Sequence, residues 1–283
     1  MNPCEMDDIY YGPRNETFKN MLLNVLKKSN LKAKYIDVLL SEENMKEYSN
    51  AFTASSADAS NNLEVYEQLG DVTANAFIVK YMYKRFPKLR CPEGVKIVAR
   101  LRINYGAKQS FFQIAQSLGF WDFISCSVDQ RSREMKSLLE DTFEAFIGVT
   151  EFLLDRHFDM DGVGNSIVFS ILTSVFNDIK ISINYEDLYD AKTRLKELFD
   201  YYGSVELGVL HYEEVRDTIV TSEVYRIVNG TGKNKKQNGT KILIGKGVGN
   251  LKAAAQQQAA NNSLMFLKRN GIEKPNPDYT KFY

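Results

Sequence analysis

One change of hydrophobic period divides this chain. Across residues 18–178 apolar positions recur every three to four residues, in the stretches 20–26, 34–40, 70–86, 110–118, 135–154 and 166–176. That spacing lines one side of a helix with apolar groups. Beyond residue 188 the pattern becomes a helix over 189–202, alternating segments over 207–215, 221–228 and 241–245, and a last helix over 251–268. The alternation is that of half-buried strands. The expected fold is an all-α domain over residues 1–182, then an α+β domain of order α-β-β-β-α over 188–270. A tail over 271–283, with two prolines, follows. At 283 residues and 44% hydrophobic composition the chain can fill a core in each domain.

The formal net charge is zero, but the charge is unevenly spread. Through Asp187 there are 21 Lys and Arg against 26 Asp and Glu; after it there are 15 against 10. An acidic segment can gather metal ions, and a basic one can neutralise phosphates. The three cysteines, Cys4, Cys91 and Cys126, lie far apart without zinc-site spacing, which fits a reducing compartment. No apolar run approaches the roughly 20 residues that span a bilayer, and the first residues are acidic where a signal peptide would be basic and then apolar. An intracellular protein, cytoplasmic or nuclear and without a membrane partner, is expected.

Two acidic clusters fall within the helical region. In Leu63-Glu64-Val65-Tyr66-Glu67-Gln68-Leu69-Gly70-Asp71 the carboxylates are spaced i, i+3, i+7 and share one narrow helix face. Val65, Leu69, Val72, Ala76 and Val79 form a separate apolar stripe, which is expected to face the core. The second cluster sets Asp141 and Glu144 one turn apart in a strongly apolar helix. Four carboxylates facing one another would need a hard, oxygen-liganded cation, and Mg²⁺ suits such a set. Spacing alone equally admits two solvated helix faces.

The wording of these segments resembles the ribonuclease III family. Glu64, Glu67, Leu69, Gly70 and Asp71 match its signature, and Asp141-Thr142-Phe143-Glu144-Ala145-Phe146-Ile147-Gly148 matches its second motif. Arg85-Phe86-Pro87, Arg100-Leu101-Arg102 and Ala51-Phe52-Thr53-Ala54-Ser55-Ser56 are also similar to family wording. The resemblance implies that Glu67, Asp141 and Glu144 ligate Mg²⁺, for which Mn²⁺ can substitute, while Asp71 completes the site and helps position the attacking water. Glu64 and Glu93 are supporting candidates; two extra residues separate Glu93 from Arg100 relative to the family pattern.

Asp190-Ala191-Lys192-Thr193-Arg194-Leu195-Lys196-Glu197-Leu198 resembles the opening of the family's double-stranded-RNA-binding domain. Gly249-Asn250-Leu251-Lys252 replaces the usual lysine pair before the last helix and looks more like the budding-yeast type than the bacterial one. Such a domain reads A-form shape through 2′-hydroxyls and phosphates. The resemblance implies that Thr193 and Lys196 face the minor groove and that Lys246, Asn250 and Lys252 meet phosphates. The usual histidine-bearing loop is absent from residues 216–221, and the lysine-rich stretch 233–241 could equally be a solvated hairpin or an RNA contact.

The implied activity is Mg²⁺-dependent endonucleolytic hydrolysis of double-stranded RNA, leaving 5′-phosphate and 3′-hydroxyl ends with short 3′ overhangs. The implied assembly is a homodimer through the nuclease domain, with Tyr66, Phe77 and Phe52 candidates either for its surface or for internal core. The alternative from another class is a non-catalytic protein that sequesters duplex RNA on the same fold; the intact acids disfavour it.

Overall fold

The computed structural model describes residues 8–29, 31–106, 109–229 and 239–283. The chain divides into two compact units, the first ending at Ile181 and the second running Ser182–Tyr283. The first is helical: α1 (Glu16–Lys28), α2 (Ala33–Leu39), α3 (Glu42–Ala51), α4 (Glu64–Arg85), α5 (Pro92–Gly106), α6 (Gln109–Ser117), α7 (Val128–Arg133), α8 (Met135–Phe158) and α9 (Val163–Phe176). Two short strands, β1 (Ile9–Tyr10) and β2 (Cys126–Ser127), pair antiparallel. Among the described residues no helix is long and apolar enough to cross a membrane.

Helix α8 is the axis of this unit. From Leu138 to Thr150 every residue except Asp141 is buried, as expected for a helix that is apolar on nearly all sides. Phe143 and Phe146 pack with Phe111 and Phe120, and the buried Tyr48 hydroxyl shares a 2.9 Å hydrogen bond with Thr150 Oγ1. Arg14 ties the entering chain to this core, donating from Nη1 to Phe123 O at 2.6 Å and from Nη2 to Phe52 O at 3.0 Å.

The orientation of α4 differs from the sequence expectation. Its buried face is Gly70, Thr73, Ala74, Phe77, Ile78, Tyr81 and Met82, while Val65, Leu69 and Val72 are 69%, 38% and 65% exposed. The small residues decide this. A Cβ on Gly70 would lie 1.8 Å from Glu144 O, and one on Gly148 would lie 2.0 Å from Tyr66 O. The two helices therefore touch backbone to backbone, an approach that only glycine permits, and in the N-terminal half of α4 the larger side chains Val65, Leu69 and Val72 are left outside. Phe52 and Phe77 are internal core, and Tyr66 is half-buried, its hydroxyl donating to Glu47 at 2.5 Å.

The second unit contains α10 (Tyr185–Leu188), α11 (Ala191–Glu206), β3 (Val209–Arg216), β4 (Val220–Val228), β5 (Thr240–Gly249) and α12 (Lys252–Arg269). The strands form one antiparallel sheet in the order β3-β4-β5, and α11 and α12 cover one face around Leu195, Leu198, Val224, Ile244, Ala259 and Leu267. Gly245 and Gly247 are strand residues beneath α12; a Cβ there would meet Ser263 Oγ at 2.1 Å and Ala259 N at 2.3 Å. These glycines thus serve helix-on-sheet packing. Residues after α12 fold back on this unit: Tyr202 Oη donates to Glu273 O at 2.9 Å, Lys274 Nζ sits 2.7 Å from Glu197, and Phe282 is buried.

Candidate metal and RNA-binding sites

The glycine contact between α4 and α8 sets the geometry of the acids. Glu67 lies one turn before Gly70, and Asp141 and Glu144 lie on the turns before Gly148, so backbone contact brings all three together. Their carboxylate oxygens fall within 4.8 Å of one another. A solvated-face reading does not describe Glu144, which is only 7% exposed. Burial, followed by the negative charges of Asp71, Glu140, Asp141 and Glu67, pushes its carboxyl up to about 8. Burial and the neighbouring carboxylates together disfavour a further negative charge there.

The remaining predicted acids are placed differently. Asp71 is exposed on α4 and close enough to raise Glu144, yet outside the group of three. Asn75 Nδ2 holds it, donating to Asp71 Oδ1 at 2.7 Å, and Arg102 Nη1 donates in turn to Asn75 Oδ1 at 3.2 Å. Glu64, in the first turn of α4, and Glu93, in the first turn of α5, are both exposed and not drawn into the group. Sequence reasoning singled out neither Glu140 nor Asn75. Glu140 is 6% exposed beside Glu144; a carboxylate inside an otherwise apolar helix stretch was the available signal.

In the second unit, Asp190 caps α11, accepting from Thr193 N at 3.0 Å and Thr193 Oγ1 at 2.9 Å. Lys196 pairs with Asp200 at 2.6 Å. Lys252, the first residue of α12, pairs with Glu214 at 3.0 Å, and the exposed Asn250 lies in the short connection before it. Gln257 Nε2 donates to Asp190 Oδ1 at 2.8 Å, joining the N-terminal ends of α11 and α12. Lys246 is not brought to these helix ends. It alternates with Gly245 and Gly247, so its side chain lies on the sheet face away from α12, 3.1 Å from Glu223. The β3 to β4 connection is only residues 217–219. Of the stretch 233–241, residues 233–238 lie outside the described residues; Lys241 pairs with Glu213.

Comparison with known proteins points one way. Residues 64–152 match the family model described as Ribonuclease III domain. The chain is 41% identical over 288 residues to a putative ribonuclease 3 of Invertebrate iridescent virus 6, covering 97% of this chain and 96% of that protein. It is 39% identical over 256 residues to a putative ribonuclease 3 of Frog virus 3, covering 90% of this chain and 64% of that protein. Among solved structures, the nuclease domain of ribonuclease III from Campylobacter jejuni is 25% identical with a TM-score of 0.43, covering 56% of this chain and 99% of that one.

Proposed function

This chain belongs to the ribonuclease III family, and we propose that Glu67, Asp71, Asp141 and Glu144 form the catalytic centre of an endoribonuclease that hydrolyses double-stranded RNA. The observation that carries this reading is the convergence of Glu67, Asp141 and Glu144 oxygens within 4.8 Å on two helices in backbone contact. The nuclease domain is assigned to residues 1–182, the RNA-binding domain to 188–270 and the tail to 271–283. An intracellular location, cytoplasmic or nuclear, goes with this activity.

The donor set fits Mg²⁺, with Mn²⁺ as a substitute: the ligands are carboxylate oxygens, and a buried carboxyl raised to about 8 marks a pocket that a cation would relieve. Glu67, Asp141 and Glu144 would hold it. Bound Mg²⁺ supplies a lowered pKa for water and charge compensation on the phosphodiester. Asp71, held by Asn75, orients the attacking water, and Glu64 and Glu93 are supporting acids. The water oxygen bonds to phosphorus, the bond to the 3′ oxygen breaks, and that oxygen leaves as a hydroxyl, so the products carry 5′-phosphate and 3′-hydroxyl ends.

The outward stripe Val65, Leu69 and Val72, with Phe152 of α8 also exposed, supports pairing of two nuclease domains. Two sites in one cleft, each cutting one strand, give staggered ends with short 3′ overhangs. Thr193, Lys196, Asn250 and Lys252 at the helix ends are the RNA contacts; Lys246 reaches RNA only from the opposite sheet face. The Gly249-Asn250-Leu251-Lys252 wording supports the budding-yeast type of domain. The test is incubation of the purified protein with a long RNA duplex. Staggered duplex fragments in Mg²⁺ and none in EDTA are expected; cutting unaffected by EDTA refutes the metal site.

A further inference from the structure

Lys252, the residue most plainly offered to phosphate, is already engaged. Glu214 projects from β3 toward the helix-covered face of the sheet, as does Tyr212 two residues earlier, which packs on the core. Its Oε2 lies 3.0 Å from Lys252 Nζ, and its Oε1 accepts from Gln256 Nε2, one turn further along α12. Gln256 Oε1 in turn accepts from Lys192 Nζ of α11 at 2.6 Å. Arg216, two residues along β3, adds its charge. One carboxylate thus sits among the cations and amide donors of both helix ends, the kind of surroundings an RNA phosphate oxygen takes.

On the reading that this domain binds duplex RNA, we infer that Glu214 is a built-in occupant of the phosphate position at the start of α12, so that RNA binds by exchanging a carboxylate for a phosphate at Lys252. The exchange has two consequences. RNA must displace an existing ion pair and then sit near the carboxylate it displaced, which lowers affinity for any duplex. The released Glu214 also takes up a cation from solution, cancelling part of the counterion release that Lys252 would otherwise produce. Glu214 therefore sets the threshold of RNA binding while touching no base.

The test is fluorescence anisotropy with a labelled RNA duplex across a salt series, in EDTA so that nothing is cut. It uses the full chain as wild type, Glu214→Gln, Lys252→Ala, the double variant, and Glu206→Gln. Glu206, exposed at the end of α11, makes the same change in net charge away from this cluster. Glu214→Gln is expected to bind roughly threefold tighter, the scale of an exposed ion pair, and to steepen the log–log salt slope by up to about one unit. Both gains vanish in the Lys252→Ala background, and Glu206→Gln shows neither. Weaker binding by Glu214→Gln, with circular dichroism like the wild type, shows that Glu214 instead holds Lys252 ready and overturns the inference. Unchanged binding, or an equal gain in Glu206→Gln, overturns it too. A wild type that does not bind duplex RNA at all overturns the RNA-binding reading itself.

Discussion

Gly70→Ala tests whether glycine contact between two helices sets the spacing of the acids. The added Cβ would stand 1.8 Å from Glu144 O and 2.5 Å from Glu144 C, both backbone atoms. No rotamer change relieves such a clash. Reaching an ordinary contact of about 3.4 Å requires α4 and α8 to separate locally by more than an ångström, in a core packed as densely as a crystal. Overpacking of this kind costs about 1–3 kcal/mol, offset by up to about 1 kcal/mol from the better helix propensity of alanine. The displacement falls between Glu67 and the Asp141/Glu144 pair, where a shift of about 1 Å can cost on the order of 10²-fold in rate. Urea unfolding should show a lower midpoint with an unchanged slope, and Mg²⁺-dependent cleavage should fall by about that factor. Gly106→Ala is the control for stability, since its Cβ would meet side chains and no backbone: the tip of Ile78 at 3.0 Å and, at ordinary contact distance, Asn75 Oδ1 at 3.5 Å. Gly70→Ala with wild-type midpoint and rate would show that the glycine contact does not set the spacing of the acids.

Two further outcomes follow from the same site. The Glu144 carboxyl, raised from 4.5 to about 8, makes the folded metal-free protein hold a proton that the unfolded chain releases above about pH 4.5. Metal-free stability should therefore decline as pH rises from about 4.5 to 8, and apparent Mg²⁺ affinity should climb over the same range because binding expels that proton. Melts in EDTA and Mg²⁺ titrations between pH 5 and 9 check this, and a Glu144→Gln protein with an identical stability profile would contradict it. Separately, Val72→Lys places a charge on the exposed stripe of α4. It should leave folding intact, shift sedimentation toward monomer and reduce double-strand cutting; a variant that sediments and cuts like wild type would exclude this face as the pairing surface.

The fold class was legible because hydrophobic period reports secondary structure directly, and the helices and strands that carry the site lie close to their expected spans. What period does not report is which side of an amphipathic helix turns inward. In the N-terminal half of α4, Val65, Leu69 and Val72 are the more apolar stripe, yet Gly70 and Ala74 are the buried residues, because close approach to a helix buried on nearly every side was worth more than three peripheral side chains. Helix α3 escaped notice because Glu42–Ala51 is mostly polar and buries chiefly Asn44, Tyr48 and Ala51. β5 continues past its expected span of 241–245, since Gly247 and Gly249 carry no side chain to mark a strand until α12 is set above them. Among the acids, motif wording selected Glu67, Asp141 and Glu144. The contributions of Glu140 and Asn75 depend on contacts that no spacing rule encodes.

The most direct measurement is cleavage of a long RNA duplex in Mg²⁺, beside duplex binding in Ca²⁺, for wild type, Glu144→Gln and Glu16→Gln. Glu144 is buried with its charged form disfavoured, so a near-isosteric neutral amide should fit without loss of stability while removing a metal ligand. Glu16, exposed in the first turn of α1, is the control. Wild type and Glu16→Gln are expected to cut, whereas Glu144→Gln is expected to bind RNA with wild-type affinity and not to cut. A Glu144→Gln protein that cuts like wild type would contradict the proposed centre, and a wild type that binds duplex RNA but never cuts it would favour a sequestering protein.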